Sequence, residues 1–497
     1  MNIVMKFTIL ILVLCGIVLA EDATLEKCVR PPMVTTDLGT IKGVTDRTLF
    51  GRQFYSFKGI RYAEPPVGDL RFKPPVPVKS WKGVYDATKD GPACPQPLLR
   101  PVSEDCLFLN VHTPRLPRRT KNPKYPVIIY VHPGSLTTLT GNSAAVGGQY
   151  LLDQDVVLVT SNYRLSSLGM LSTGDELATG NNALKDQVEV MRWVNKHIKK
   201  FGGDPNNVLL AGYSAGGLSV SIHLVSPMSR GLFHKVAIMS GCAFGNNIKK
   251  TNLFDLAQKQ ARIVGCPDDT SANIIKCLKT IPAETLGDTL ESFRIFGTDP
   301  QFIWEPVIEP DFGQERFLVE SPFTSVQCGR IADVPVMTGI TSDELIFLAQ
   351  PVVANDTWLE VLNRDWNKIA PIAFYYDPDA PNVNEKSAEL KNFYFNGQPV
   401  NSGSLVPLGE IYSDSLSGFG VNRGANVLSR FLSNSVYYYA FTYKGRFSNF
   451  NPPGGNDKYV VHFDDMLYAF WNSLQFPKFK KTDPEAATVK KTDNCLV

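Results

Sequence analysis

Residues 208 to 220 read VLLAGYSAGGLSV, with Gly212 and Gly216 bracketing Ser214. A serine hydroxyl is a poor nucleophile at neutral pH. It attacks a carbonyl when an imidazole takes its proton and an acid holds that imidazole in one tautomer. The G-x-S-x-G pattern alone is weak evidence, because at ordinary glycine and serine frequencies it arises by chance in about one chain of this length in six. Its neighbours strengthen it: an apolar run ends at Gly212, and small, helix-compatible residues begin after Ser214. A strand turning directly into a helix strains the residue at the turn and lifts its side chain clear, while the flanking glycines remove Cβ atoms that would collide. The Ala215 amide then falls at a helix N-terminus, where an unpaired N–H and the helix dipole stabilise an oxyanion.

The base must come from six histidines. His112 and His132 lie on or at the end of expected strands, and His197, His223 and His234 lie in or beside expected helices; structural or surface roles are the ordinary reading for these. His462, in KYVVHFDDMLYAF, leaves an apolar segment where a loop should begin. An acid between serine and histidine in chain order suits this strand–turn–helix topology. Asp343 and Glu344, in VPVMTGITSDELIFLA, both follow an apolar run and both fit; composition does not choose between them.

The elements that position these residues can be read from periodicity. From Gly39 the chain alternates turn residues with β-branched and aromatic runs, which suggests an antiparallel opening. YPVIIYVH (125–132), DVVLVTSNY (155–163) and VLLAG (208–212) are near-continuous apolar runs, the mark of strands buried on both faces. Residues 182–202 have helical spacing, a lysine-rich end and a glycine stop. Strand, helix, strand and helix in succession argue for an α/β fold with a large, mainly parallel sheet and helices on both faces. Residues from about 250 to 330 read as amphipathic helices and then a proline- and aromatic-rich stretch, and are expected to cap one end of the sheet in a single domain spanning 21–497.

The totals narrow the function. An apolar share of 43% and a charged share of 20% are those of an ordinary globular protein. Fifty Lys and Arg against 48 Asp and Glu leave no electrostatic footprint for nucleic acid. No H-E-x-x-H or clustered Cys/His spacing supports a metal, no phosphate-cradling glycine loop supports a nucleotide, and no cofactor is expected. Residues 1–20, MNIVMKFTILILVLCGIVLA, have Lys6 ahead of an apolar run and small residues at the end, and read as a secretion signal cut after Ala20 rather than a membrane anchor. Of nine cysteines, Cys15 would leave with the signal, and the even remainder suits an oxidising compartment. Asn355-Asp-Thr357 is an N-glycosylation sequon.

The chain resembles the type-B carboxylesterase and cholinesterase family from about Gly39 to Glu485. The resemblance is carried by GIRYAEPPVGDLRF (59–72), SEDCLFLNVHTP (103–114), FGGDPNNVLLAGYSAGG (201–217), MSRGLFHKVAIMSG (228–241) and TSDE (341–344). It implies an α/β-hydrolase fold with Ser214 as nucleophile, His462 as general base and Glu344, rather than Asp343, as orienting acid. It also implies disulfides Cys94–Cys106 and Cys266–Cys277, with Cys28, Cys242, Cys328 and Cys495 unassigned, and internal ion pairs Arg71–Glu104 and Arg164–Asp186. Within the family the nearest likeness is to secreted arthropod carboxylesterases.

Several positions depart from the family pattern. The oxyanion loop, usually HGGG or HGGA, reads HPGSL (132–136) here, so the expected donors are the amides of Gly134, Ser135 and Ala215. Glycines are replaced by Leu345 after the acid and Phe463 after the base; a positive φ at either would strain the triad. DPEAATVKK looks like the start of a helix that runs further in relatives.

These features favour a secreted serine hydrolase acting on small, apolar carboxylic esters over a binding or adhesion homologue on the same scaffold, since such homologues typically lack a triad residue. Phe302, Trp304 and Phe463 are candidates for an acyl pocket, against the alternative of plain core packing. CPQPLLRPVSEDC (94–106) carries no aromatic to face a quaternary ammonium, which argues against acetylcholine. Tyr213, where juvenile hormone esterases favour Gln, argues against that specificity.

Overall fold

The computed structural model describes residues 30–118, 121–245, 248, 250–450 and 458–496. The expected signal, residues 1–20, and Cys28 lie outside the described residues. Strands, in chain order, are β1 (Met33–Thr36), β2 (Gly39–Lys42), β3 (Val44–Arg47), β4 (Gln53–Arg61), β5 (Val84–Asp86) and β6 (Phe108–Thr113). They continue with β7 (Tyr125–Val131), β8 (Val157–Ser161), β9 (Gly203–Tyr213), β10 (Lys235–Met239), β11 (Val336–Thr341) and β12 (Val436–Phe441). A nine-stranded sheet has the order β12-β11-β10-β9-β7-β8-β6-β4-β3, and β1, β2 and β5 form a separate small sheet. The run from β12 to β8 is parallel, while β6, β4 and β3 add antiparallel pairs at one edge. This is the α/β-hydrolase fold, with the antiparallel opening and buried parallel centre that the residue pattern suggests.

The apolar runs form strands because helices cover both faces. Val127, Ile129, Val157, Val159 and Leu210 pack into the main core on one face, whereas Ile128, Tyr130, Leu158 and Tyr213 pack into a second cluster on the other. Alternation of side chains along each strand dictates that division. Helix α1 (Asn182–His197) follows the helical spacing, tightens into a turn at Ile198–Phe201 and stops at Gly202, whose φ of +91° suits glycine. Its N-terminal half carries two buried pairings. Arg164 meets Asp186 through Nε–Oδ2 (2.8 Å) and Nη2–Oδ1 (2.7 Å), and Lys185 Nζ donates to Glu309 Oε2 (2.7 Å). The second pair was not legible in the sequence; it ties α1 to the 307–317 segment, and Asn181 Nδ2 and the Phe317 amide complete the Glu309 carboxylate.

In the 250–330 region, helices Phe254–Ile263 and Ser271–Leu278 bury Ala257, Ala261, Ile274 and Leu278 in the main core. Thr270 caps the second by accepting the Asn273 amide. Arg71, paired with Glu104, reaches across to donate to the carbonyls of Leu278 (2.8 Å) and Ile281 (2.6 Å). Disulfides join Cys94 to Cys106 and Cys266 to Cys277. Cys242, Cys328 and Cys495 form no disulfide among the described residues.

A second helical stretch, from Ile346–Val353 to Leu405–Ser413, has its own core of Leu348, Leu362, Trp366, Ile369, Phe395 and Ile411. The periodicity reading did not separate it from the remainder, and prolines inside two of its helices, Pro351 and Pro371, explain why: they interrupt the pattern that marks a helix. Residues Glu485–Leu496 are helical, as DPEAATVKK suggests.

Candidate active site

β9, β10 and β11 are neighbours, and their carboxyl ends deliver Ser214, Ser240 and Glu344 to one rim of the sheet; β7 delivers His132 to Ser135 beside them. Crevices at the carboxyl ends of parallel strands are where such sheets place ligands. Between β9 and helix α2 (Ala215–His223), Ser214 has φ 56° and ψ −119°, a conformation non-glycine residues rarely adopt. Close packing enforces it. A Cβ on Gly212 would meet the Gly216 carbonyl oxygen at 2.3 Å, one on Gly216 would meet the Val131 oxygen at 2.2 Å, and one on Gly241 would meet the Ser214 oxygen at 2.1 Å. Within 210–217 every residue but Ser214 is buried.

Glu344 is 1% exposed, and both of its carboxylate oxygens are engaged. Oε1 accepts from Ser240 Oγ (2.6 Å) and the Thr341 amide (2.9 Å), and Oε2 accepts from His462 Nδ1 (2.5 Å). A carboxylate only accepts, so the Nδ1 proton is fixed and Nε2 is left with a lone pair for a base to use. The His462 amide donates back to the Glu344 carbonyl at 2.7 Å. Asp343, the acid that composition could not exclude, faces elsewhere: its carboxylate accepts the Val460 amide (3.0 Å) and its own amide donates to the Val460 carbonyl (3.0 Å). It laces the two loops together. Ser214 Oγ and His462 Nε2 make no hydrogen bond to each other or to another described residue; in ligand-free sites this contact commonly tightens only when substrate binds.

The loop after β7 runs through three consecutive positive φ values, Gly134 (111°), Ser135 (53°) and Leu136 (59°). At Gly134 only glycine fits, since a Cβ would stand 2.2 Å from the Thr138 carbonyl oxygen. The Gly134 carbonyl is turned away, accepting the amides of Thr137 (2.8 Å) and Thr138 (2.9 Å). Gln96 pins the far end by bonding both the amide and the carbonyl of Leu139 at 2.7 Å. The amides of Gly134, Ser135 and Ala215 have no acceptor among the described residues.

The glycine replacements behave differently. Leu345 has φ −118° and is unstrained, whereas Phe463 has φ +74° and bears the strain the sequence warned of. The other histidines are structural. His132 stacks on Tyr163 (4.1 Å) and donates to the Pro133 carbonyl, and burial holds its pKa down to about 4. His223 bonds Ser229 and Gln187, and burial lowers its pKa to about 3. Burial also lowers His112, bonded to Ser56, to about 4, and lowers His197 to about 4. His234 lies directly before β10 rather than beside a helix, and its Nδ1 accepts the Val208 amide.

The three proposed pocket aromatics are spread apart in their packing. Phe302 meets Tyr375 (5.5 Å), Trp304 is buried in the main core against Phe293 (5.5 Å), and Phe463 meets Tyr213 (5.1 Å). A cleft of about 900 Å³ bordered by Tyr375, Tyr394, Asp414, Phe419 and Tyr438 contains none of Ser214, Glu344 and His462. It holds no nucleophile beside a base, so chemistry rather than volume locates the site. Residues the sequence reading missed include Ser240 and Asp465. Ser240 could have been found by its place at a strand's carboxyl end beside the nucleophile strand. Asp465 is buried, accepts from Tyr439 Oη (3.1 Å), and is pushed up to about 7 by burial and then by the charge of Glu344.

This combination of fold and rim geometry has clear relatives. The family model "Carboxylesterase family" matches residues 30–495. Esterase E4 of Myzus persicae is 37% identical over 449 residues, covering 88% of this chain and 78% of that protein. Juvenile hormone esterase of Tribolium castaneum is 34% identical over 473 residues, covering 90% and 80%. The crystal structure of juvenile hormone esterase from Manduca sexta, with OTFP covalently attached, superposes with a TM-score of 0.83 at 27% identity over 94% of this chain and 90% of that one. The chain belongs to the carboxylesterase family and is a carboxylic ester hydrolase.

Proposed function

We propose that this chain is a secreted serine hydrolase that cleaves small carboxylic esters through an acyl-enzyme, with Ser214 as nucleophile, His462 as base and Glu344 as orienting acid. His462 Nε2 takes the Ser214 proton as Oγ adds to the ester carbonyl. The amides of Gly134, Ser135 and Ala215 stabilise the resulting oxyanion. Collapse of the tetrahedral intermediate expels the alcohol, which receives the proton from His462. A water then attacks the acyl-enzyme with the same base, releasing the acid and restoring Ser214. The observation that carries the reading is the His462 Nδ1–Glu344 Oε2 bond beside a nucleophile elbow, which leaves the opposite ring nitrogen free to act. Covalent attachment of OTFP to the Manduca sexta relative supports a covalent mechanism.

Secretion is supported by the signal-like residues 1–20 and by two disulfides, which persist in oxidising compartments. Among the described residues no helix is long and apolar enough to cross a membrane. Residues 250–330 act as a cap, and Asn355 is a glycan acceptor; it is exposed and uses only Oδ1, accepting the Trp358 amide, which leaves Nδ2 for the sugar. The test is turnover of a short-chain aryl ester. Ser214→Ala and Glu344→Gln should each lower kcat by about 10³- to 10⁴-fold while remaining folded. Turnover by Ser214→Ala equal to that of the parent would overturn the assignment.

A further inference from the structure

One side chain links all parts of the triad, reaching the acid through Ser240. Tyr213 immediately precedes Ser214 in the chain. Its Oη lies 2.8 Å from Ser240 Oγ, the hydroxyl that donates to Glu344 Oε1. The Phe463 amide donates to the same Oη at 2.7 Å. The Tyr213 ring meets His462 edge-on at 4.9 Å and Phe463 at 5.1 Å, and it is fully buried. A phenol this deep needs partners for its hydroxyl, and here those partners are Ser240, which bonds the acid, and the segment that carries the base.

Phe463 is where this matters most. Its φ of +74° costs a residue with a Cβ on the order of 1 kcal/mol, and something must hold it there. His462 is gripped on both sides. Its own amide donates to the Glu344 carbonyl, and the next amide, that of Phe463, donates to Tyr213 Oη. The Phe463 N–H belongs to the peptide plane that joins the two residues, so fixing its direction fixes ψ of His462 and φ of Phe463. The front grip is made by backbone alone and survives substitution; the rear grip depends on a single hydroxyl.

We propose that Tyr213 is a positioning residue for the base: by accepting the Phe463 amide it holds residue 463 in a left-handed conformation and so aims His462 at Ser214. This rests on the serine-hydrolase reading above. The hydroxyl stands in for the freedom that glycine, the residue the family resemblance expects at 463, would supply.

The test is a double-variant cycle. Tyr213→Phe keeps the ring and removes the hydroxyl, with its contacts to both the Phe463 amide and Ser240, and should lower kcat on the order of tenfold to a hundredfold with little change in KM. In a Phe463→Gly background the same exchange should cost no more than about threefold, because glycine adopts positive φ without support. The limb of the kcat/KM pH profile that reports the base should move in Tyr213→Phe and move back when Phe463→Gly is added; a loss of stability alone would not produce that reversal. Near-UV circular dichroism checks that each variant is folded. Parental kcat in Tyr213→Phe, or a loss of equal size in both backgrounds, would overturn the inference. Labelling of the parent by a fluorophosphonate separates the two levels: an unlabelled, folded parent overturns the hydrolase reading itself, whereas a labelled parent with an unaffected Tyr213→Phe overturns only the role of Tyr213.

Discussion

The nucleophile elbow and the histidine segment each hold one residue in an unfavourable backbone conformation, Ser214 at φ 56° and Phe463 at φ 74°, but they hold it by different means. At the elbow, glycines let backbone press on backbone, with Gly212, Gly216 and Gly241 leaving no room for a Cβ. Strain there is enclosed by hard contacts. Residues 458–465 contain no glycine and are tied by hydrogen bonds: beside the backbone bond from His462 to Glu344, Asp343 accepts the Val460 amide, Asp464 accepts the amides of Val461 and Asn449, and Tyr213 accepts that of Phe463. Steric confinement fails abruptly when an atom is added, whereas a set of hydrogen bonds fails one bond at a time. The elbow should therefore be brittle and the histidine segment graded.

The largest effect should come from adding one methyl group at the elbow. In Gly241→Ala the new Cβ would press on the Ser214 backbone, which cannot yield without moving the Ser214 hydroxyl. Activity should fall at least about a hundredfold and stability by about 3 kcal/mol, read from aryl-ester turnover and chemical unfolding. A milder loss is expected in the histidine segment. Asp343→Ala removes the acceptor of one amide, so stability should fall by about 1 to 2 kcal/mol and kcat by roughly tenfold, with the protein still folded. Equal losses in the two variants would erase the distinction.

The smallest effect separates the two regions by pH. Asp465 sits in the histidine segment with a carboxyl raised from 3.8 to about 7, while 212–217 contains no carboxylate or imidazole. A raised carboxyl pKa means that the folded state keeps a proton the unfolded chain has lost. Stability from this group is thus full below about pH 4, declines as pH rises to about 7, and is level above that. Asp465→Asn should match the parent near pH 4 and exceed it by about 1 to 2 kcal/mol at pH 8, seen as a difference in thermal midpoint that grows with pH. Gly241→Ala should show no such growth.

The same contrast explains what was legible in the sequence. The elbow is local: strand, turn and helix are contiguous, and their glycines announce the geometry, so Ser214 could be read directly. The parallel sheet and α1 were legible because apolar runs and helical spacing survive without knowledge of partners. Choosing Glu344 over Asp343 needed the family resemblance, because both follow β11 and only the approach of residues 458–462 distinguishes them. Ser240 and Asp465 acquire their roles from partners 26 to 104 positions away in the chain, and no local pattern marks them. Replacing glycine leaves a positive φ open to question at Leu345 and Phe463 alike, and only Phe463 adopts one: Leu345 lies at φ −118°, and its amide is satisfied by Ser413 Oγ.

The account stands on the identity of the nucleophile, and the most direct measurement is peptide-mapped mass spectrometry of the folded protein after exposure to a fluorophosphonate. It predicts a single stoichiometric adduct on Ser214, abolished in Ser214→Ala and slowed in Glu344→Gln. An adduct on another residue, or none on a protein shown to be folded, would contradict it.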